Sequence, residues 1–311
     1  MLRLSMRVVF MGSPQFSVPS LEAISSRYEI VGVFTQPDRP AGRGRKLQAS
    51  AVKTASLDLS IPIFQPKKIR QEDTVTQLIK LSPDVIIVVA YGQILSQSIL
   101  DIPRWGSINV HASLLPNWRG AAPIQASILN GDTVTGITIM LMDAGMDTGP
   151  ILSQAELEIK AEETGGELAS RLSILGAELL LDTLPSYING EIRPCPQEDD
   201  EATYAPMIKK SDGLLDFNKP ADFLTRQVRA YEPWPTSYFV WEGRRIVVRS
   251  AYSKSIHESE IGLVLKVTDH PAIVTAEGAL VLEQIQPAGK KPMRGDAFLR
   301  GSPSFVGCRL V

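Results

Sequence analysis

The chain has 311 residues, of which 44% are hydrophobic and 21% are charged, and its formal net charge is −2. This length accommodates two domains, and the near-neutral charge excludes a generic polycation, so any nucleic-acid surface must be a local patch. The longest apolar run, Val85 to Ala90, is too short to span a bilayer, and the N-terminal residues lack the apolar stretch of a signal peptide.

Cysteine usage points to a reducing compartment. Cys195 and Cys308 are the only two cysteines, and they lie far apart and outside any metal-ligand spacing. We therefore expect two free thiols in a cytoplasmic protein. No cluster of metal-ligand residues is visible in the sequence, so no metal site is predicted.

The N-terminal part alternates between strands and helices. Residues 7–11 predict a buried strand, Gly12 begins a turn, a helix starts near Ser17, and a second strand covers residues 30–35. Such alternation predicts βαβ units and a parallel sheet. The turn GSPQFS lacks the GxGxxG pattern, so we reject a dinucleotide site there. The turn is either structural or part of the active cleft.

A basic, glycine-rich loop follows the second strand. It carries Arg39, Arg43, Arg45 and Lys46 against one acid, Asp38, which leaves a local charge of +3. One interpretation is a solvated surface loop. The other is an arm that orders against phosphates, because ligands of α/β sheets bind at the carboxyl ends of parallel strands.

The segment from Asp84 to Ala90 is apolar and β-branched without polar alternation, which is typical of a central strand covered on both faces. It leads into residues 91–95, where such a sheet exposes backbone groups to a ligand. A plain strand end is the alternative interpretation for each of these residues.

The segment NVHASLLPNWRGAAP, residues 109–123, is the most informative part of the chain. Asn109 and His111 are two residues apart, so an extended strand directs both side chains to the same face. Residues 113–116 then form a turn that offers backbone groups. The segment is either a strand-to-helix connection, in which Asn109 and His111 satisfy loop backbone, or a site with one amide and one imidazole. Asp147 follows later in AGMDTGPI, where capping a turn is the usual role of such an aspartate.

The rest of the sequence predicts the domain division. A long helix covers residues 164–188, and residues 194–201 are proline-rich and acidic without periodicity. Several short strands with tight turns follow, which favours a small β-barrel of the OB kind. We predict a catalytic domain over residues 1–190, a linker over 191–206 and a C-terminal barrel over 207–311.

Residues 109–123 resemble the signature of the formyltransferases that use 10-formyltetrahydrofolate. The basic loop, the D-x-G-P-I element of Asp147, the string RAYEPWP and the C-terminal GKKPM are similar to those of the family members that formylate methionyl initiator tRNA. The resemblance implies a Rossmann-like, parallel-sheet formyltransferase domain followed by an OB-like barrel that binds tRNA. It also implies formyl transfer to the methionyl α-amine in translation initiation.

The resemblance further implies roles for individual residues. Asn109, His111 and Asp147 would form the catalytic trio. The residues expected to bind the folate are Gln93, Leu95, Ser113, Leu114, Leu115 and Pro116. The residues expected to bind tRNA are Arg39, Arg43, Arg45 and Lys46. No metal and no membrane are expected, and the protein is predicted to be a monomer.

Three alternatives remain. A glycinamide-ribonucleotide formyltransferase and an amino-sugar formyltransferase share the signature and differ in the acceptor. The basic loop and the C-terminal barrel favour tRNA, since a small acceptor needs neither. The third alternative is a catalytically silent RNA-binding protein on this fold, and the intact Asn-His-Asp set argues against it.

Overall fold

The computed structural model describes residues 4–41 and 46–310 of the chain, and within these ranges it contains 17 strands and eight α-helices. In chain order the elements up to residue 188 are β1 (Leu4–Gly12), α1 (Val18–Arg27), β2 (Tyr28–Phe34), β3 (Arg39–Ala41), β4 (Lys46–Gln48), α2 (Ala51–Asp58), β5 (Ile63–Phe64), α3 (Glu72–Lys80), β6 (Val85–Val89), α4 (Gln97–Leu100), β7 (Ser107–His111), β8 (Arg119–Gly120), α5 (Pro123–Asn130), β9 (Val134–Leu141), β10 (Ile151–Glu158) and α6 (Gly165–Ile188). The remaining elements are β11 (Tyr204–Ala205), α7 (Ala221–Ala230), β12 (Ser237–Trp241), β13 (Arg244–Lys254), β14 (Val264–Val267), β15 (His270–Val274), β16 (Ala279–Pro287), β17 (Met293–Arg294) and α8 (Gly295–Gly301).

A seven-stranded sheet with the order β10-β9-β7-β6-β1-β2-β5 forms the first part of the fold. Strands β5, β2, β1, β6 and β7 pair in parallel, and every residue of β6 is buried. The parallel, Rossmann-like sheet predicted from the strand and helix pattern is therefore confirmed. The carboxyl ends of its parallel strands share one edge, the edge at which open α/β sheets bind ligands.

Two further strands extend this sheet beyond β7. β9 pairs antiparallel with β7, and β10 pairs antiparallel with β9, so the sheet is mixed. The apolar run GITIMLMD at residues 136–143 predicts a strand at β9, whereas no sequence pattern predicts β10. In β10 half-buried and exposed residues dominate and only Leu152 is buried, which fits an edge strand with little apolar signal.

The described chain falls into two compact units. The first comprises residues up to 123, 134–158 and 169–205, and the second comprises residues 124–133, 159–168 and 206 onward. The predicted domain ranges, 1–190, 191–206 and 207–311, stay a prediction. Residues 204 and 205, which fall in the predicted linker, form β11 and pair in parallel with β8 of the first unit.

The second unit is built on an antiparallel sheet with the order β12-β13-β16-β15-β14, to which β17 adds beside β16. Its core contains an aromatic group in which Phe305 packs against Phe239, Trp241 and Phe298 at centroid distances of 4.9–5.8 Å. The sequence predicts a small β-barrel of the OB kind after the α/β domain, and this fold class is confirmed, with the second unit built as an antiparallel-sheet domain.

Among the described residues, no helix combines the length and the apolar character that crossing a membrane would require.

Candidate active site

Asn109 and His111 occupy the carboxyl-terminal half of β7. The strand lies between β6 and β9, with Asn109 opposite Val88 and Met140 and with His111 opposite Thr138. Both side chains are buried and, being two residues apart, project from the same face of the sheet. The structure thus places an amide and an imidazole together at the ligand-binding edge, as the sequence predicts.

The imidazole of His111 has one partner on each side. Its Nε2 lies 3.1 Å from the carbonyl oxygen of Trp118, and its Nδ1 lies 3.7 Å from Oδ2 of Asp147. A carbonyl oxygen only accepts, so the proton of the neutral ring resides on Nε2 and Nδ1 keeps a lone pair. Burial lowers the pKa of His111 below its usual value, and the negative charge of Asp147 and the Trp118 carbonyl oppose that shift only in part. His111 is therefore neutral near pH 7.

Asp147 is held by its backbone surroundings. It lies in the connection between β9 and β10 and adopts a left-handed conformation, with φ of 55°. The amide N–H of Gly120 donates a hydrogen bond of 2.8 Å to Oδ2. The structure therefore brings Asp147 to His111 from a different strand connection, which local sequence spacing alone does not indicate.

The turn at residues 113–116 is already hydrogen-bonded inside the protein. Oγ1 of Thr138 donates to the Ser113 carbonyl and accepts from the Leu115 amide, at 2.7 and 3.0 Å. The Leu115 carbonyl accepts from Nε2 of Gln154 at 2.8 Å. These backbone groups of Ser113 and Leu115 therefore already have partners, and Leu114 and Pro116 are only half-buried.

Gln93 and Leu95 differ from simple surface groups. Oε1 of Gln93 accepts from the Ile69 amide at 2.7 Å, its Nε2 donates to the Pro66 carbonyl at 3.1 Å, and Leu95 is buried in the core. Between them, the Ile94 side chain is 87% exposed. The sequence predicts a ligand-facing strand end over residues 91–95 but does not single out Ile94 within it.

Residues 39–41 and 46–48, in and next to the basic loop, form two paired strands, which we call the β3–β4 hairpin. β3 pairs antiparallel with β4, with Arg39 opposite Gln48. The exposed Arg39 guanidinium donates to Oε1 of Gln36 at 3.1 Å. Arg43 and Arg45 lie outside the described residues, and only the backbone of Lys46 is described.

A cavity of about 590 Å³ opens at the carboxyl ends of the parallel strands. It is lined by the turn after β1, by the segment after β2 and by the end of β6, including Ser13, Gln36, Arg39 and Tyr91. The turn GSPQFS, which lacks a dinucleotide pattern, thus lines a cleft. Among the described residues, no group of three His, Cys, Asp or Glu side chains is arranged to hold a metal ion.

Comparison with known proteins identifies the family. A family model described as formyl transferase matches residues 6–184, and a second, described as the formyl transferase C-terminal domain, matches residues 207–303. This chain belongs to the formyl transferase family.

Relatives and solved structures agree with this membership. The methionyl-tRNA formyltransferase of Chloroflexus aurantiacus is 44% identical over 300 residues, covering 95% of this chain and 97% of the relative. That of Bacillus pumilus is 45% identical over 308 residues, covering 98% and 97%. The crystal structure of WlaRD, a sugar 3N-formyl transferase, aligns with a TM-score of 0.65 at 18% identity, covering 93% of this chain and all of that one. That likeness supports the fold.

Two further polar residues lie beside the candidate site of this formyl transferase, and sequence reasoning did not single them out. Arg119 is only 1% exposed, and its guanidinium donates to Oε1 of Gln197. Gln197 lies in the proline-rich, acidic segment, which the sequence marks only as a linker. An arginine directly after the signature Asn-Trp pair was the one available signal.

Proposed function

We propose that this chain transfers the formyl group of 10-formyltetrahydrofolate to the α-amine of methionyl initiator tRNA, giving N-formylmethionyl-tRNA for translation initiation. The observation that carries the proposal is the 44–45% identity to methionyl-tRNA formyltransferases over nearly the whole chain, including the C-terminal domain. We further propose that it acts in the cytoplasm as a monomer and without a metal.

The acceptor amine needs little activation. An α-amine titrates near 7.7–8.0 in a peptide, and the ester on the adjacent carboxyl lowers this value, so much of it is neutral near pH 7. Its lone pair attacks the formyl carbon, a C–N bond forms, and the formyl oxygen becomes an oxyanion. The Asn109 amide donates a hydrogen bond to this oxyanion without bringing a charge into the buried site.

The neutral His111 is suited to move the proton. Its Nδ1 lone pair accepts the proton of the new ammonium, directly or through water, and the resulting imidazolium lies next to the Asp147 carboxylate. The imidazolium then donates the proton to the folate N10 as the bond between N10 and the formyl carbon breaks. Tetrahydrofolate and the formylated amine leave, and His111 is neutral again.

The folate is proposed to lie against the end of β6 and the turn at residues 113–116. Because Gln93 is bonded within the protein and Leu95 is buried, we assign these two residues to shaping the wall. Ser113, Leu114, Leu115 and Pro116 form the opposite side. The exposed Ile94 supplies an apolar face on which the planar pterin ring can pack.

The tRNA is proposed to contact the β3–β4 hairpin and the C-terminal domain. The segment that contains the hairpin carries a local positive charge suited to phosphates, from Arg39, Arg43, Arg45 and Lys46. The amino-sugar alternative has the support of a fold likeness at 18% identity, whereas the tRNA acceptor has the support of full-length relatives.

One assay tests the function. Purified protein is incubated with 10-formyltetrahydrofolate and one acceptor, with and without a chelator. The acceptors compared are methionyl initiator tRNA, methionine, glycinamide ribonucleotide and an amino-sugar nucleotide. We expect rapid formylation of the charged tRNA alone, unaffected by the chelator. Preferential formylation of a small amine would contradict the proposal.

A further inference from the structure

The side chain of Gln197 links two parts of the site through all four of its hydrogen-bonding positions. Its Nε2 donates to the carbonyl oxygens of Asp147 and Gly149 at 2.9 and 2.7 Å. Its Oε1 accepts from Nε and Nη2 of Arg119 at 3.0 and 2.9 Å. A guanidinium only donates and a carbonyl only accepts, so the orientation of the amide is determined by its neighbours.

Arg119 cannot leave this arrangement without cost. Its guanidinium is buried, and an unpaired buried charge is strongly destabilising. Besides Gln197, its Nη2 contacts Oδ1 of Asp199 at 2.8 Å, but the Asp199 side chain is 80% exposed. The buried Arg119 therefore fixes the side chain of Gln197, which in turn binds the Asp147 connection.

The Asp147 connection combines a left-handed residue with a close approach of two backbone segments. Asp147 itself has a positive φ of 55°, a left-handed conformation that few L-residues adopt. A Cβ at Gly149 would overlap the carbonyl oxygen of Leu141, so the chain passes very close to β9 here. Gln197 binds the carbonyls of Asp147 and Gly149 and so supports the backbone from which the Asp147 carboxylate projects.

Thr203, six residues after Gln197, holds the loop that supplies hydrogen-bond partners to His111 and Asp147. The carbonyl oxygen of Thr203 accepts from the Arg119 amide at 2.9 Å, and its Oγ1 accepts from the Trp118 amide at 2.8 Å. The Trp118 carbonyl is the partner of His111, and the Gly120 amide is the partner of Asp147. Thr203, in the same segment as Gln197, thus holds the loop that carries both hydrogen-bonding groups of the imidazole and the carboxylate.

We propose that Gln197 is a positioning residue for formyl transfer, which sets the place of the Asp147 carboxylate relative to His111 through the backbone of residues 147–149. It touches no substrate. The inference rests on the proposed function for its kinetic consequence, and its structural consequence can be measured without any substrate.

Two substitutions separate the bonds of Gln197. Gln197→Glu keeps an acceptor for Arg119 and removes both donors to the Asp147 and Gly149 carbonyls. Gln197→Met has similar length and removes all four bonds. The control is Glu198→Gln. Glu198 is the next residue along the segment, is exposed, and makes no side-chain hydrogen bond among the described residues. The substitution therefore removes a charge without removing a hydrogen bond.

Kinetics and spectroscopy give independent readouts. We expect both Gln197 variants to lower kcat about 10- to 100-fold, the scale of a misplacement of about 1 Å, while KM for either substrate changes less than about threefold. In Gln197→Met, side-chain NMR titration of the three histidines should give His111 a lower pKa than in wild type, because the opposing charge of Asp147 is withdrawn. Glu198→Gln should match wild type in both.

The results that would overturn the inference are distinct from those that would overturn the proposed function. Wild-type kcat in either Gln197 variant would overturn it, and so would an unchanged His111 titration in Gln197→Met. A loss confined to KM, or a loss that parallels a fall in Tm and disappears at lower temperature, would also overturn it. If wild type instead formylates another amine, the His111 titration still decides the role of Gln197.

Discussion

Nδ1 of His111 lies 3.7 Å from Oδ2 of Asp147, and residues 118–120 supply a hydrogen-bond partner to each of the two side chains. The Trp118 carbonyl accepts from Nε2 of His111, and the Gly120 amide donates to Asp147. The separation exceeds a hydrogen bond, so the resting pair does not share a proton. The carboxylate is instead placed to stabilise a positive charge that arises on the ring during the reaction.

Removing any member of the trio should slow the chemical step. We expect Asn109→Ala, His111→Ala and Asp147→Asn each to lower kcat strongly, with about 10²- to 10³-fold for the loss of the oxyanion donor Asn109. Single-turnover formyl transfer measures this effect, and thermal unfolding checks the fold. The exposed His257 provides a control, since His257→Ala should retain wild-type turnover. Near-normal kcat in a stable trio variant would remove that residue from the mechanism.

Burial of His111 should make stability depend on pH. Because folding lowers the pKa of His111, the unfolded chain binds its proton more readily. The contribution of His111 to stability is therefore most favourable above about pH 6.5 and decreases as pH falls from that value toward the folded pKa. Urea unfolding at pH 7.5 and 5.5 should show a larger loss for wild type than for His111→Gln. Equal losses in the two proteins would argue against a lowered pKa.

Ile94 should contribute to folate binding. Covering an exposed isoleucine with a ligand ring contributes about 1–2 kcal/mol, so Ile94→Ser should raise KM for the folate about 5- to 30-fold. KM for charged tRNA should stay the same. Ile79, which is 54% exposed on α3, offers the matched substitution Ile79→Ser, for which neither KM should change. Folate binding that is insensitive to Ile94→Ser would place the pterin elsewhere.

The β3–β4 hairpin should add electrostatic affinity for tRNA. Arg39→Ala and Arg43→Ala should each raise KM for charged tRNA, and each should shrink the slope of log affinity against log salt by about 0.7–0.9 for every phosphate that is no longer neutralised. Arg43→Lys should restore only part of the affinity, because the charge returns without the fork geometry of arginine. Binding is measured at several salt concentrations.

The control for the hairpin is Lys80→Ala, which removes an exposed cation on α3. Parallel salt lines with equal affinity for wild type and both arginine variants would mean that the hairpin is only a solvated surface. The binding of tRNA would then be left to the C-terminal domain.

Local patterns predict much of this structure. The apolar run at β6 and the alternation of strands and helices give the parallel sheet, and the i, i+2 spacing gives the shared face of Asn109 and His111. These inferences succeed because they depend on neighbours along the chain. The proximity of Asp147 came from the family resemblance, since spacing does not determine which strand connections meet in space.

The sequence did not indicate the hydrogen-bond partners and burial of side chains whose neighbours lie far away along the chain. Gln93 and Leu95 lie in a strand end that the sequence favours for ligand binding, yet one is bonded to Pro66 and Ile69 and the other is buried. Gln197 sits among acidic and proline residues, where composition indicates only a linker. In each case the decisive partner is distant along the chain, and periodicity carries no information about it.

The position of residues 195–205 has a practical consequence for protein engineering. This stretch separates the two family-model matches, which end at residue 184 and begin at residue 207, so a designer exchanging C-terminal domains between homologues would naturally cut inside it. A junction near residue 190 would place the homologue's residues at positions 197 and 203 against the Arg119 of the parent protein. A junction after Ala205 would keep every one of their bonds within the parent protein. Chimeras of this enzyme should therefore be joined after residue 205.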